Sequence, residues 1–211
     1  MRSIRPQLVI LITGGLLLLF GLWGVAEGPA DISLAHVVGV LAKACGLSVD
    51  ATWPAWVESV VLQIRLPRII TGMFVGAALG LSGATLQGLF RNALAEPSII
   101  GISSGASLGA VLAIYFGLAA LSVWSIPVMA FLGASLTTFA VYSIATDRGH
   151  TPTETLLLAG VAIGALNTAI SAFVMAMALS RWEVGQQILF WSMGGLEGRT
   201  WEHALLIAPT V

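Results

Sequence analysis

Charge is what this sequence has least of. Only 9% of its 211 residues are Asp, Glu, Lys or Arg, against about 25% in an average soluble domain. So little charge cannot coat the surface of a soluble globule. The hydrophobic fraction is 57% and the mean hydropathy +0.96, which excludes disorder. The net charge of −1 leaves no basic field for nucleic acid. A single cysteine, Cys45, excludes an internal disulfide and a cysteine-rich metal site, and reads as a small apolar residue. There is no G-x-x-x-x-G-K-[ST] phosphate loop and no H-E-x-x-H pair. His36, His150 and His203 lie in loops or at the edge of an apolar run and read as plain polar residues. No acid sits inside a long apolar run, where one would mark a proton or sodium relay. No resident metal or cofactor is expected.

What is present are long uncharged runs, and a helix needs about 20 apolar residues to cross the hydrocarbon. The runs predict an all-α polytopic membrane bundle forming a single unit over 1–211. Spans are expected near 8–26, 69–90, 97–118, 126–146 and 155–180, with a sixth beginning at 204–211. The first run is too long for a signal-peptide core and reads as an uncleaved helix. Residues 27–64 and the uncharged stretch 184–196 read as loop or interfacial segments, with Trp53, Trp56, Trp182, Trp191 and Trp201 at headgroup level. Arg2 and Arg5 precede the first span and favour a cytoplasmic N-terminus. Alternation then places 27–68 and 181–203 outside. Arg65 and Arg68 therefore stand on the side where positive charge is not favoured, and need a reason of their own.

Burial of apolar area does not drive helices together in lipid; close backbone approach does. Three ordered glycine sets offer it: Gly72, Gly76 and Gly80; Gly101, Gly105 and Gly109; Gly160 and Gly164. Candidate chemistry is sparse. Gly101-Ile102-Ser103-Ser104-Gly105 matches a nucleophile-elbow pattern. An intramembrane serine hydrolase using Ser103 would need a histidine in another span, and none is there. Asn167 and Ser171 share a helix face at spacing four. That face lines a polar path or makes interhelical hydrogen bonds. Arg65-Leu66-Pro67-Arg68 opens the second span, with proline at a first-turn position and both arginines at the aqueous rim.

RLPRIITGMFVGAALGLSGATLQGLFRNALAEPSIIGISSGASLG, residues 65–109, resembles the FecCD-type permeases of ABC importers. LLLAGVAIGA at 156–165 and FWSMGGLEGRTW at 190–201 are similar to family segments, while Ala93 stands where the family usually has proline. That family moves iron–siderophore complexes, haem and cobalamin across the bacterial inner membrane. The resemblance implies about ten spans in each of two identical subunits, so that this chain would be an N-terminal portion unable to transport alone. It implies a separate ABC ATPase, a periplasmic solute-binding protein, a second permease copy and membrane lipid as partners. Arg65 and Arg68 match the positions that dock acids of the binding protein. Thr153 and Glu154 correspond to a cytoplasmic gate, and Asn167 and Ser171 become candidates for the pore lining. The cargo implied is a ferric siderophore, with haem or cobalamin as the alternative.

Overall fold

Uncharged runs become helices because a backbone in hydrocarbon must satisfy its own N–H and C=O groups. The computed structural model describes residues 5–210; Arg2 lies outside them. The described residues hold nine α-helices: α1 (Pro6–Ala26), α2 (Leu34–Ala44), α3 (Ala55–Ser59), α4 (Leu66–Phe90), α5 (Ile102–Tyr115), α6 (Ser125–Ala145), α7 (Thr153–Ala178), α8 (Trp182–Met193) and α9 (Trp201–Ile207). A π-helical turn, Val60–Arg65, joins α3 to α4. Four helical stretches are long and apolar enough to cross a membrane: Pro6–Ala26, Ala55–Phe90, Ser125–Ala145 and Thr153–Ala178. Leu11 and Leu18 of α1, Phe131 of α6 and Leu158 of α7 are each more than 70% exposed, as lipid-facing side chains must be.

The chain divides into two units, one of residues up to 78 and from 196 on, the other of residues 79–195. In the first, Val25, Ile32, Val37, Val40, Trp53, Val57 and Val61 form the core. The Ser33 hydroxyl caps α2 by accepting the His36 amide at 3.3 Å. At its other end Lys43 pairs with Glu58 of α3 at 2.6 Å, and the Trp53 indole N–H donates to the same carboxylate at 3.1 Å. That exposed pair fixes register more than it adds stability.

The second unit is a glycine-packed layer of α5, α6 and α7. A Cβ on Gly109 would lie 2.0 Å from the Met129 carbonyl oxygen, and one on Gly105 would lie 2.6 Å from that of Gly133. Gly133 answers from α6: its Cβ would stand 2.2 Å from the Gly105 carbonyl oxygen. Gly160 of α7 faces the Ile99 carbonyl oxygen at 2.6 Å in the same sense. Gly101 precedes α5 with φ +79° and sits against the Gly160 backbone, so both its conformation and its surroundings exclude a side chain. Helix α8 covers the other end of α5, with Ile188 and Val184 packed among Val111, Ile114, Val174 and Ala178.

Three sequence expectations change. The run 97–118 is not a full span: α5 has 14 residues, about 21 Å of helix against a hydrocarbon core of about 30 Å. Pro97 and the left-handed Gly101 keep 96–101 in turns. Residues 55–64, expected in a loop or interfacial segment, form one continuous helical run with α4, ending at Phe90. The glycine set of α4 makes little contact among the described residues: Gly76 and Gly80 have no atom within 4 Å of a built Cβ, and Gly72 meets only Leu196.

A Gly109→Ala substitution should therefore force α5 and α6 apart, at a cost of about 1–3 kcal/mol. Gly15→Ala in α1, with open space around it, should be near neutral. Melting of the two variants in detergent checks the contrast.

Candidate functional site

The chain's chemistry is densest where α3 runs into α4. A proline inside a helix lacks the amide that its turn needs and crowds the carbonyl four residues back. Pro67 is buried well inside the run 55–90, not in a first turn. The chain meets this with the π-turn just ahead of it, where the Leu66 N–H reaches back to the Val61 carbonyl. The next carbonyl in that pattern belongs to Leu62, and the amide five residues on would be that of Pro67, which has none. The indole N–H of Trp201, at the start of α9, donates to the Leu62 carbonyl at 2.8 Å.

Arg65 closes the π-turn and points inward, 7% exposed. Its Nη1 donates to the Val25 carbonyl at 3.0 Å and to that of Ala26 at 2.7 Å, and its Nη2 donates to the Ala30 carbonyl. The first two lie in the last turn of α1, where unpaired carbonyls and the helix dipole favour a cation. Gly28 lets the loop close over the guanidinium, since a Cβ there would lie 2.8 Å from Nη2. The expectation that Arg65 stands at the rim for docking is thereby corrected: its donors are committed within the chain.

Arg68, three residues on, is exposed. It is the one charged residue lining a groove of 590 Å³ formed by Leu17, Phe20, Ile69, Met73, Gly76 and their neighbours. No hydrogen bond or ion pair holds its guanidinium among the described residues.

Asn167 is also corrected. It is 7% exposed, and its Nδ2 donates to Thr137 Oγ1 at 2.9 Å and to Ser104 Oγ at 3.4 Å. It ties α7 to α6 and α5 and lines no path. The Ser171 hydroxyl turns back to the Asn167 carbonyl at 2.8 Å. Thr153 and Glu154 are exposed in the first turn of α7, where the acid suits the helix dipole. Ser103 is exposed in the first turn of α5, which turns rather than a strand precede, and it has no hydrogen-bonded base among the described residues. That geometry does not make a nucleophile elbow. Thr137 and Gly133 are not singled out by sequence, Trp201 is placed there only at headgroup level, and Ser104 only within the elbow pattern. Only Ser104 and Gly133 carried a signal, as small residues in glycine-rich stretches.

The model of the FecCD transport family matches residues 16–211. The chain belongs to the FecCD transport family. Among curated relatives it is 45% identical over 161 residues to the cobalamin import system permease protein BtuC of Halobacterium salinarum, covering 75% of this chain and 42% of that protein. It is 38% identical over 187 residues to the vitamin B12 import system permease protein BtuC of Salmonella paratyphi A, covering 85% of this chain and 56% of that one. A solved metal-chelate type ABC transporter in an inward-facing conformation superposes with a TM-score of 0.75 at 29% identity, covering 95% of this chain and 57% of that one. The chain thus spans about half the length of the curated relatives it matches. It is an all-helical, multi-pass membrane chain of this family.

Thr200 caps α9, with His203 Nδ1 accepting the Thr200 amide at 3.3 Å. Partial burial, then the Arg199 charge, hold the His203 imidazole below its ordinary pKa, against the opposing pull of Glu202. The neutral ring is the form that accepts, so its contribution is complete above the ordinary histidine value of about 6.5 and is lost as pH falls. Melting should therefore fall more between neutral and mildly acid pH in the native chain than in His203→Gln. For the buried arginine, Arg65→Met leaves three carbonyls without a donor and should cost about 3 kcal/mol or more. Arg65→Lys should lose less, because its ammonium still donates; melting in detergent ranks the two.

Proposed function

We propose that this chain is part of the transmembrane permease subunit of an ATP-driven importer for a bulky metal chelate. The observation that carries the reading is the family match from residue 16 onward, joined to an exposed guanidinium, Arg68, placed near one bound to three carbonyls. The subunit itself is not an enzyme: ATP hydrolysis belongs to a separate ABC ATPase. A periplasmic solute-binding protein delivers the cargo, and a second permease copy completes the pathway. The location is the bacterial inner membrane, with the N-terminus cytoplasmic.

The relatives favour a corrinoid as cargo, since those of 38–45% identity are cobalamin or vitamin B12 permeases. This reverses the order of the sequence expectation, in which a ferric siderophore came first. The siderophore reading keeps one support, the metal-chelate transporter at 29% identity. Arg68 offers the binding protein a forked, always charged donor that pairs with a carboxylate in a fixed geometry. Such rim pairs set association rate and register. Thr153 and Glu154, free at the mouth of α7, serve as a cytoplasmic gate.

Uptake by the permease carrying this chain, reconstituted with its ATPase and binding protein, tests the cargo. Labelled cobalamin should accumulate and compete with unlabelled cobalamin but not with a ferric siderophore. In the same vesicles Arg68→Glu should weaken binding-protein affinity about tenfold, or about 1.4 kcal/mol, with the melting temperature unchanged. An unchanged affinity refutes the docking role.

A further inference from the structure

The Trp201 indole reaches 139 residues back along the chain to one backbone carbonyl, and that carbonyl is the one that Pro67 leaves without a partner. We propose that Trp201 is a positioning residue: its N–H replaces the amide that Pro67 lacks, holds the π-turn of Val60–Arg65 in register, and so sets the direction in which Arg68 leaves the helix.

Two observations support this. The Leu66 amide is already spent on Val61, so no backbone donor remains for Leu62. A part-buried carbonyl left without a donor is costly, which pushes the π-turn to rearrange whenever the indole leaves. Rearrangement has a defined geometric result. A π-turn holds one residue more than an α-turn, so losing it rotates the residues on one side by about 100° relative to the other. Val57 ahead of the turn and Val61 within it are packed in the core, and Arg65, which closes it, is bound to three carbonyls. These anchors hold the backbone up to residue 65, so the rotation falls on the residues beyond it, Arg68 among them. The last step rests on the docking reading of Arg68; the substitution of indole for amide does not.

The test is a double-mutant cycle in the reconstituted permease with its ATPase, read as affinity for the binding protein. Trp201→Phe keeps the ring and removes the donor. It should lower affinity about fivefold, the scale of one lost hydrogen bond. Pro67→Ala returns an amide to position 67, so adding Trp201→Phe to it should change affinity by less than about twofold. An equal loss in both backgrounds overturns the proposal. Exchange of the Trp201 indole proton, followed in permease labelled with nitrogen-15 tryptophan, reads the bond without reference to docking. It should exchange slowly, and faster once Pro67→Ala supplies a competing amide. Fast exchange in the native chain overturns the inference and leaves docking by Arg68 intact. An unaltered affinity in Arg68→Glu together with slow indole exchange overturns the docking reading and leaves the indole-for-amide bond standing.

Discussion

A peptide carbonyl removed from water needs a donor, and this requirement organises the chain more than its hydrophobicity does. Apolar side chains are at home in lipid whichever way they face, so they choose no particular arrangement. An unpaired carbonyl costs several kcal/mol there, and only a few groups can relieve it. The end of α1 exposes the carbonyls of Val25 and Ala26, and Arg65 takes both, with Ala30 as a third. Pro67 exposes the carbonyl of Leu62, and Trp201 takes it. Both solutions bring distant segments of the chain together: residue 65 with 25–30, and residue 201 with 62. The tertiary structure of the first unit is in large part the record of where its helices are interrupted.

The second unit answers the same constraint with fewer interruptions. Here the helices approach until backbone meets backbone, which needs glycine on both sides of the crossing. Gly105 and Gly109 on α5 face Gly133 on α6, and Gly160 on α7 faces the turn before α5. The missing side chain at Gly105 has a second effect. A Cβ there would strike the Thr137 hydroxyl at 2.2 Å, and it is this hydroxyl that accepts from Asn167. The close crossing and the polar tie among α5, α6 and α7 are therefore one feature. Lost dispersion contacts and an orphaned amide would accompany each other in any variant that enlarges residue 105.

Much of this was legible beforehand. The all-helical class, the long helices α1, α6 and α7, and the family followed from uncharged run lengths and from residues 65–109. In the structure the glycine sets at 101–109 and 160–164 meet neighbouring backbone, whereas the set at 72–80 meets only Leu196, at Gly72, among the described residues. Spacing shows that a face is smooth, not what lies against it. The role of Arg65 was hidden for a related reason. An arginine beside an apolar run reads as a rim charge, and nothing local says that a helix end 40 residues earlier will present it with carbonyls. Pro67 misled in the same way: proline with two arginines reads as a helix start, because the π-turn that accommodates it has no sequence signature. Trp201 was assigned to the headgroup region on residue type alone, and its real partner is a carbonyl made available by a proline 134 positions away.

The two arginines of one short motif are thus used differently: Arg65 is bound within the chain, and Arg68 is exposed. Arginine suits the inner position for reasons that exclude lysine from doing it equally well. Its donors fan out in a plane and reach three carbonyls at once, and its diffuse charge is less costly to bury than an ammonium. No carboxylate is needed beside it, because the carbonyl end of α1 already carries partial negative charge. With Arg65 fixed in this way, the helix has a defined rotational setting at position 65, and Arg68 at the next turn inherits it. A docking group gains specificity when its direction is set before the partner arrives, since less conformational freedom is lost on binding. On the proposed docking role of Arg68, the bound arginine and the Trp201 indole together set its direction, so charge at residue 65 would act on recognition through its neighbour.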